Sequence, residues 1–170
     1  LNADKAGTKT ARKRFDDLAG KVCEKVLPIK EKYFLGKGSK VAICCLASID
    51  LLKEISNSVD IMDRIVIAAR LLSENRGIDT LIQFAIYNPT LCHIILCGSE
   101  VKGHQAGQAL LSLCENGIGT KGRIIGAKGP YPFLKSSQND IDRFRHQVRV
   151  CNMIGEIDLA KVRNSLLATV

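Results

Sequence analysis

Aromatic side chains make up only 5% of this 170-residue chain, and none interleaves with its basic clusters. The stacking platforms that single-stranded nucleic acids need are therefore missing. The formal charge of +8 reads instead as solvated basic faces or a surface for an acidic partner. No stretch approaches the roughly 20 apolar residues of a membrane span. The longest apolar stretch, Val41 to Leu52, contains Asp50 and is followed by Lys53 and Glu54. The N-terminus lacks the charged-then-apolar layout of a secretory signal, so a cytoplasmic location is expected. No Cys-x-x-Cys pair occurs among the seven cysteines. Cys44, Cys45, Cys92, Cys97, Cys114 and Cys151 lie mostly inside apolar runs, as small hydrophobes in a reducing compartment do, and their spacing does not suit a zinc site.

What is present is an ordinary globular composition, 46% apolar and 25% charged, at a length that suits a single domain with a real core. Leu1 to Thr8 is polar and reads as frayed. Thr10 to Val26 carries Phe15, Leu18, Ala19, Val22 and Val26 at helical spacing, with Lys9, Arg12, Lys13, Arg14, Lys21 and Lys25 about it, and Pro28 ends it. Gly36 and Gly38 make a turn, Val41–Leu46 is a first buried strand, and a short helix spans Ile49 to Ser56. Arg64–Leu72 fits helix or strand, and its β-branched centre favours a second strand, closed by a turn at Glu74–Gly77. A helix from Ile78 to Tyr87 stops at Asn88-Pro89. Cys92–Cys97 is the third strand, and Gln105–Glu115 a helix ending at Asn116-Gly117.

Arg123–Gly126 reads as a fourth strand, and Gly129–Phe133 as a loop stiffened by Pro130 and Pro132. Helices over Asn139–Cys151, with Ile141, Phe144, Val148 and Cys151 inward, and over Asp158–Ala168 complete the chain. Strands alternating with helices predict an α/β, Rossmann-like fold: a mainly parallel sheet of about four to six strands with helices on both faces. Residues 1–30 are expected to form a basic helical extension and 31–170 the domain. The loops after the strands then gather at one sheet edge, where ligands of open α/β sheets bind. That makes neighbours of Ser48, of Ser73, Glu74, Asn75 and Gly77, of Gly98 to Gly107, and of Gly126 to Phe133.

The densest segment at that edge is Cys97-Gly-Ser-Glu-Val-Lys-Gly-His-Gln-Ala-Gly-Gln108, with His104 where a strand hands over to a helix. Gly98-Ser-Glu-Val-Lys-Gly103 begins like a phosphate loop, but His104 and Gln105 replace the lysine and hydroxyl, and Glu100 repels phosphate. The dinucleotide fingerprint lacks its second glycine. A hydrolase using His104 as base needs a nucleophile, and no Gly-x-Ser-x-Gly elbow occurs. A helix-start histidine without chemistry is the plain alternative. Against it, Gly103, Ala106 and Gly107 leave the first turn nearly bare for a large flat ligand, and Gln108 stands one turn on. The positive helix end favours the neutral imidazole, the form that binds a transition metal. Its second nitrogen then needs a carboxylate or carbonyl, for which Glu100, Glu74 and Glu54 compete. One imidazole cannot build a zinc site, but it can be the single axial ligand of a macrocycle.

Leu96–Gln108, Glu115-Asn-Gly117, Arg123–Ala127 and Arg143-Phe-Arg-His-Gln-Val148 resemble the corrinoid-carrying A subunit of tetrahydromethanopterin S-methyltransferase. Ser73-Glu-Asn-Arg-Gly-Ile-Asp79 resembles that family's Thr-Glu-Asn-Leu-Gly-Ile-Glu segment, and Tyr33–Gly36 with Val41–Ser48 its first strand more loosely. The resemblance covers about Tyr33 to Ile157. It implies a cobalamin or related cobamide whose cobalt takes His104 as lower axial ligand and cycles between Co(I) and methyl-Co(III). It further implies a carrier of methyl groups from methyl-tetrahydromethanopterin towards coenzyme M, serving methyl-donor and methyl-acceptor proteins. The cofactor-binding set it implies is Ser48, Ser73, Glu74, Asn75, Gly77, Gly98, Glu100, Val101, Lys102, Gly103, His104, Gln105, Gly107, Gln108, Gly126, Gly129, Pro130, Tyr131, Pro132 and Phe133. A corrinoid sensor or storage module without turnover is the alternative. The family's C-terminal membrane anchor has no counterpart here, its Gly-Pro near the second strand reads Ala69-Arg70, and the Thr10–Val26 helix is extra; a soluble homologue is expected.

Overall fold

The computed structural model describes residues 33–169. The helix expected over Thr10 to Val26, and with it the 1–30 extension, lies outside the described residues. In chain order the elements are β1 (Tyr33–Leu35), β2 (Val41–Cys44), α1 (Ile49–Asn57), α2 (Val59–Met62), β3 (Ile65–Ala69), α3 (Arg76–Tyr87), β4 (His93–Gly98), α4 (Ala106–Asn116), a 3-10 turn at Thr120–Gly122, α5 (Gln138–Gln147), β5 (Arg149–Ile154) and α6 (Leu159–Thr169).

The strands form one five-stranded sheet in the order β1-β3-β2-β4-β5. Every pairing is parallel except β1 against β3, where Tyr33 faces Ala69. The chain is therefore α/β with a mixed, mostly parallel sheet. The central strand β2 is buried along its whole length, which is why Val41-Ala-Ile-Cys44 is uniformly apolar and not alternating. Its side chains part to the two faces. Ala42 and Cys44 join Ile94 and Leu96 of β4 beneath Ile78 and Ile82 of α3, Leu110 and Leu113 of α4, and Ile141 and Phe144 of α5. Val41 and Ile43 join Ile95 and Cys97 against Leu52 and Ile55 of α1, Ile61 of α2, and Val162 and Leu166 of α6. Burying each such large side chain stabilises by about 1.5–3 kcal/mol.

Two expected elements are corrected. Arg123–Gly126 is not a fourth sheet strand: it makes only isolated bridges, Ile118 to Ile124 and Arg123 to Phe133. Ile124 is fully buried as part of the core cluster on one face of the sheet, so its apolar character reflects packing and not strand pairing. The place beside β4 belongs to β5, which pairs with it from His93–Arg149 to Gly98–Ile154. The helix expected to reach Cys151 ends at Gln147, and Val148 already has extended angles (φ −115°, ψ 131°). Val148 is a core residue, which made it look like one more helical contact. The edge strand that follows, Arg-Val-Cys-Asn-Met-Ile, is half exposed and carries neither a clean alternation nor an apolar run.

Candidate functional site

The loops after β2, β3 and β4 do meet at the carboxyl edge of the parallel strands, and the 126–136 segment joins them. Ser99 N–H donates to Ser48 Oγ at 2.8 Å, and Ala47 N–H donates to the Ser99 carbonyl at 3.0 Å. Arg70, at the end of β3, holds the same junction by donating to the Leu46 and Ala47 carbonyls. Gly98 has φ +83°, and a Cβ there would strike the Cys45 carbonyl; only glycine lets β4 turn away beside β2.

At the centre, His104 Nδ1 lies 2.8 Å from Glu74 Oε2. The imidazole is 54% exposed and the Glu74 side chain 1%. A buried carboxylate requires partners, and Glu74 uses both oxygens: Oε1 accepts the Tyr131 N–H at 2.9 Å. Of the three competing carboxylates the fold thus selects Glu74. Facing a carboxylate, Nδ1 is the donor of this contact, and Nε2 is the ring nitrogen left without a partner among the described residues. Nδ1 is anchored in the protein while the ring remains open to a ligand.

Glu100 has a different task. Its carboxylate accepts the N–H groups of Val101, Gly107 and Gln108 at 2.8–3.0 Å. The expectation that a bare positive helix end would tune His104 is therefore corrected, because a carboxylate already satisfies the α4 N-terminus. Glu54 lies away from this centre, lining a separate shallow cavity of about 330 Å³ with Ser48, Asp50, Ser99 and Ile157.

The first turn of α4 is not a bare outer face either. Ala106 and Gly107 are buried, and a Cβ on Gly107 would sit 3.0 Å from Leu46, Ile154 and Glu100 together. The open positions precede the helix: Lys102, Gly103 and His104 are exposed, Gly103 has φ +82° with nothing within 4 Å of its Cβ position, and Gln105 takes the left-handed φ of 48° as N-cap. Val101 packs against the core beneath them. Gln108 does not face a ligand. Its amide donates to Ser112 Oγ and the Gly126 carbonyl, and its Oε1 accepts the Lys128 N–H.

The 126–136 segment is tied in from both helices. Asn75, the N-cap of α3, donates to the Tyr131 carbonyl, and Ser73 Oγ accepts the Gly77 N–H. Gly77 fits its turn beside Leu71 and Ser73, and Gly129 is buried where a Cβ would strike the His104 carbonyl. Pro132 is buried and accepts from Ile124 N–H. Pro130 and Tyr131 are exposed, Tyr131 by 58%. Its ring lies 5.1 Å from that of Phe133, which Arg123 covers at 6.0 Å. Sequence reasoning passed over Asp79, whose carboxylate accepts the Lys135 and Ser136 N–H groups and the Ser136 hydroxyl. A first-turn acid after an Asn N-cap was its signal, but the partner is remote in sequence.

Among the described residues, no three His, Cys, Asp or Glu side chains gather to hold a metal ion, and no helix is long and apolar enough to cross a membrane. The fold and site define an α/β domain that offers one carboxylate-braced imidazole at the carboxyl edge of its sheet. The sequence model for MtrA, the A subunit of tetrahydromethanopterin S-methyltransferase, matches residues 22–169, and the chain belongs to that family. The match extends beyond the Tyr33–Ile157 span of the motifs on both sides. The chain is 33% identical over 144 residues to the A subunit of methyltransferase Mtx from Methanosarcina acetivorans, covering 84% of this chain and 68% of that protein. It is 45% identical over 96 residues to the tetrahydromethanopterin S-methyltransferase A subunit of Methanocaldococcus jannaschii, covering 55% of this chain and 40% of the relative. For the second such A subunit of Methanothermobacter marburgensis the figures are 39% over 102 residues, 59% and 55%.

Proposed function

We propose that this domain is a corrinoid-carrying methyl-transfer module, Rossmann-like in its ligand edge, with His104 as lower axial ligand to the cobalt of a cobamide. The observation that carries the reading is the Glu74–His104 pair: a buried carboxylate holds one ring nitrogen and leaves the other free on an exposed imidazole. The residues fit a group that brings its own equatorial nitrogens, because the protein offers one nitrogen donor beside the open backbone of Gly103. Family membership and the methyltransferase names of the relatives support the same reading.

When bound, the corrinoid supplies a cobalt that accepts and releases a methyl group, and the protein supplies position and axial-ligand electronics. Glu74 fixes the tautomer and aim of His104 and raises its donor strength. Gly103 admits a flat ligand to the backbone, and Tyr131 and Phe133 offer apolar surface beside it. Methyl-donor and methyl-acceptor proteins of a methyltransferase complex are the partners, and transfer from methyl-tetrahydromethanopterin towards coenzyme M is the reaction served. The test is to mix the purified chain with cob(III)alamin, remove free cofactor and record the visible spectrum. A stoichiometric complex whose spectrum changes in His104→Ala supports the assignment, and absence of retained corrinoid refutes it.

A further inference from the structure

Among the described residues the Glu74 carboxylate has two partners, the His104 ring on one oxygen and the Tyr131 N–H on the other. With the side chain 1% exposed, water has little access to replace either. The orientation of the carboxylate about the imidazole is therefore set from its far side, by the place where the Tyr131 backbone is held. Asn75, the next residue along, supplies a hold: its Nδ2 donates to the Tyr131 carbonyl at 3.3 Å. Two successive residues before α3 thus take the N–H and the C=O of one residue on another loop.

The second loop is stiff where it meets them. Pro130 and Pro132 flank Tyr131 and fix their own φ. The Tyr131 carbonyl also closes a tight turn with the Phe133 N–H at 2.9 Å, and the Pro132 carbonyl accepts the Ile124 N–H at 2.8 Å. Gly129 packs where a Cβ would strike the His104 carbonyl and lie 2.9 Å from Glu74 Cγ. Residues 129 to 131 therefore bear on His104 twice, at its backbone through Gly129 and at its ring through Glu74. The other end of the Asn75 amide has a separate task, since Oδ1 accepts the Arg76 N–H at 2.6 Å as N-cap of α3.

We propose that Asn75 is a positioning residue for His104 and not a cofactor contact: by holding the Tyr131 backbone against Glu74, it fixes the carboxylate and, through it, the tautomer and aim of the imidazole. The proposal rests on the corrinoid reading above only for what the free ring nitrogen binds. Without the Asn75 donor the Tyr131 N–H is freed to leave Glu74, and a buried carboxylate with one remaining partner turns both oxygens towards the ring. A ring held in that looser way samples both tautomers, and Nε2 then offers its lone pair for only part of the time.

The test uses Asn75→Ser and Asn75→Asp in the full chain. Serine and aspartate equal asparagine as N-caps, so denaturant midpoints are expected to stay at the wild-type value. Serine is one bond too short to reach Tyr131, and an ionised aspartate has no proton to donate. The first readout needs no corrinoid: ring-nitrogen chemical shifts of His104 at about pH 8, above the ordinary histidine range. The wild type is expected to show Nδ1 protonated, and both variants an average of the two tautomers. Tyr131→Ala keeps the backbone groups and should keep the wild-type pattern. The second readout is spectral titration with cob(III)alamin, where both variants should lose about fivefold in affinity, the scale of one neutral hydrogen bond. A wild-type tautomer in both Asn75 variants, whatever their midpoints, makes Asn75 a helix cap alone and overturns the proposal. So does a change confined to Asn75→Asp, which is an effect of the added charge, or an equal change in Tyr131→Ala. Absence of retained corrinoid in the wild type refutes the corrinoid reading, and the tautomer measurement then still decides the role of Asn75.

Discussion

The carboxylate of Glu74 meets Nδ1 of His104 at 2.8 Å across thirty residues of chain, with the acid buried and the ring exposed. Removing the acid and removing the imidazole should therefore have different consequences. On the proposed corrinoid reading, His104→Ala is expected to abolish ligation of the cobalt. Glu74→Gln keeps the shape but weakens the hold on Nδ1, and corrinoid affinity should fall about 10–100-fold, the range for loss of such supporting partners. Spectral titration of both variants checks this, and an unchanged affinity in Glu74→Gln would separate the pair from the binding function.

Glu100 is expected to matter for stability first. Its replacement by Ala strands the Val101, Gly107 and Gln108 N–H groups at the start of α4. Loss of a helix cap of this kind costs about 1–2 kcal/mol. Denaturant midpoints for Glu100→Ala against wild type measure it, and Glu100→Gln, which keeps an acceptor oxygen, should recover part of the loss.

Two glycines should separate packing from site geometry. Gly107→Val forces a branched side chain against Leu46, Ile154 and Glu100, already 3.0 Å from a Cβ. Overpacking of this degree destabilises by about 1–3 kcal/mol. Gly129→Ala instead presses on the His104 carbonyl and lies 2.9 Å from Glu74 Cγ. Its effect should fall on corrinoid binding more than on the denaturant midpoint.

Thiol burial predicts an alkaline weakness. Burial pushes the Cys44 thiol from its ordinary 9.0 up to about 12, and Cys114 up to about 11; Cys45 is raised as well, first by a thiol hydrogen bond with Cys97 and then by burial. The folded state keeps these protons that the unfolded chain gives up near pH 9. Stability is therefore full below pH 9 and declines as pH rises towards 11–12. Unfolding curves between pH 8 and 11 should show that fall, with a shallower slope in Cys44→Ala. At pH 8 a thiol reagent should modify the exposed Cys151 ahead of Cys44 and Cys114.

Asp79→Ala should loosen the segment that carries Tyr131 and Phe133, since it removes the acceptor of the Lys135 and Ser136 N–H groups. Hydrogen exchange at those two amides is expected to accelerate, with little change at the α3 amides beyond the first turn.

The parts of this molecule legible in sequence are those whose cause is local. Val41–Cys44 and His93–Gly98 are buried on both faces and so read as continuous apolar runs. The α3 and α4 helices show their apolar spacing and their C-terminal stops at Asn88-Pro89 and Asn116-Gly117, although α3 begins at Arg76, inside the stretch that reads as a turn. The strand Arg149–Ile154 escaped because an edge strand is exposed along part of its length and is defined by pairing with β4, which no pattern within it records. Arg123–Gly126 misled for the converse reason: Ile124 is apolar because it is buried in the core, not because it pairs in the sheet. At the site, sequence singled out His104 and named three acids as its support. Distances alone selected Glu74, turned Glu100 to the α4 backbone and turned Gln108 to the 126–128 loop.

The chain by itself determined the α/β alternation, the family to which it belongs and the histidine at the strand-to-helix handover, because each is written in consecutive residues. Only the tertiary structure decided what that histidine leans on, which glycines face inward, and that Glu74 and Glu100 are engaged by different partners. Those outcomes depend on which loops the parallel sheet brings to one edge, and hydrogen bonds form between whichever groups arrive within about 3 Å of each other, whatever their separation along the chain.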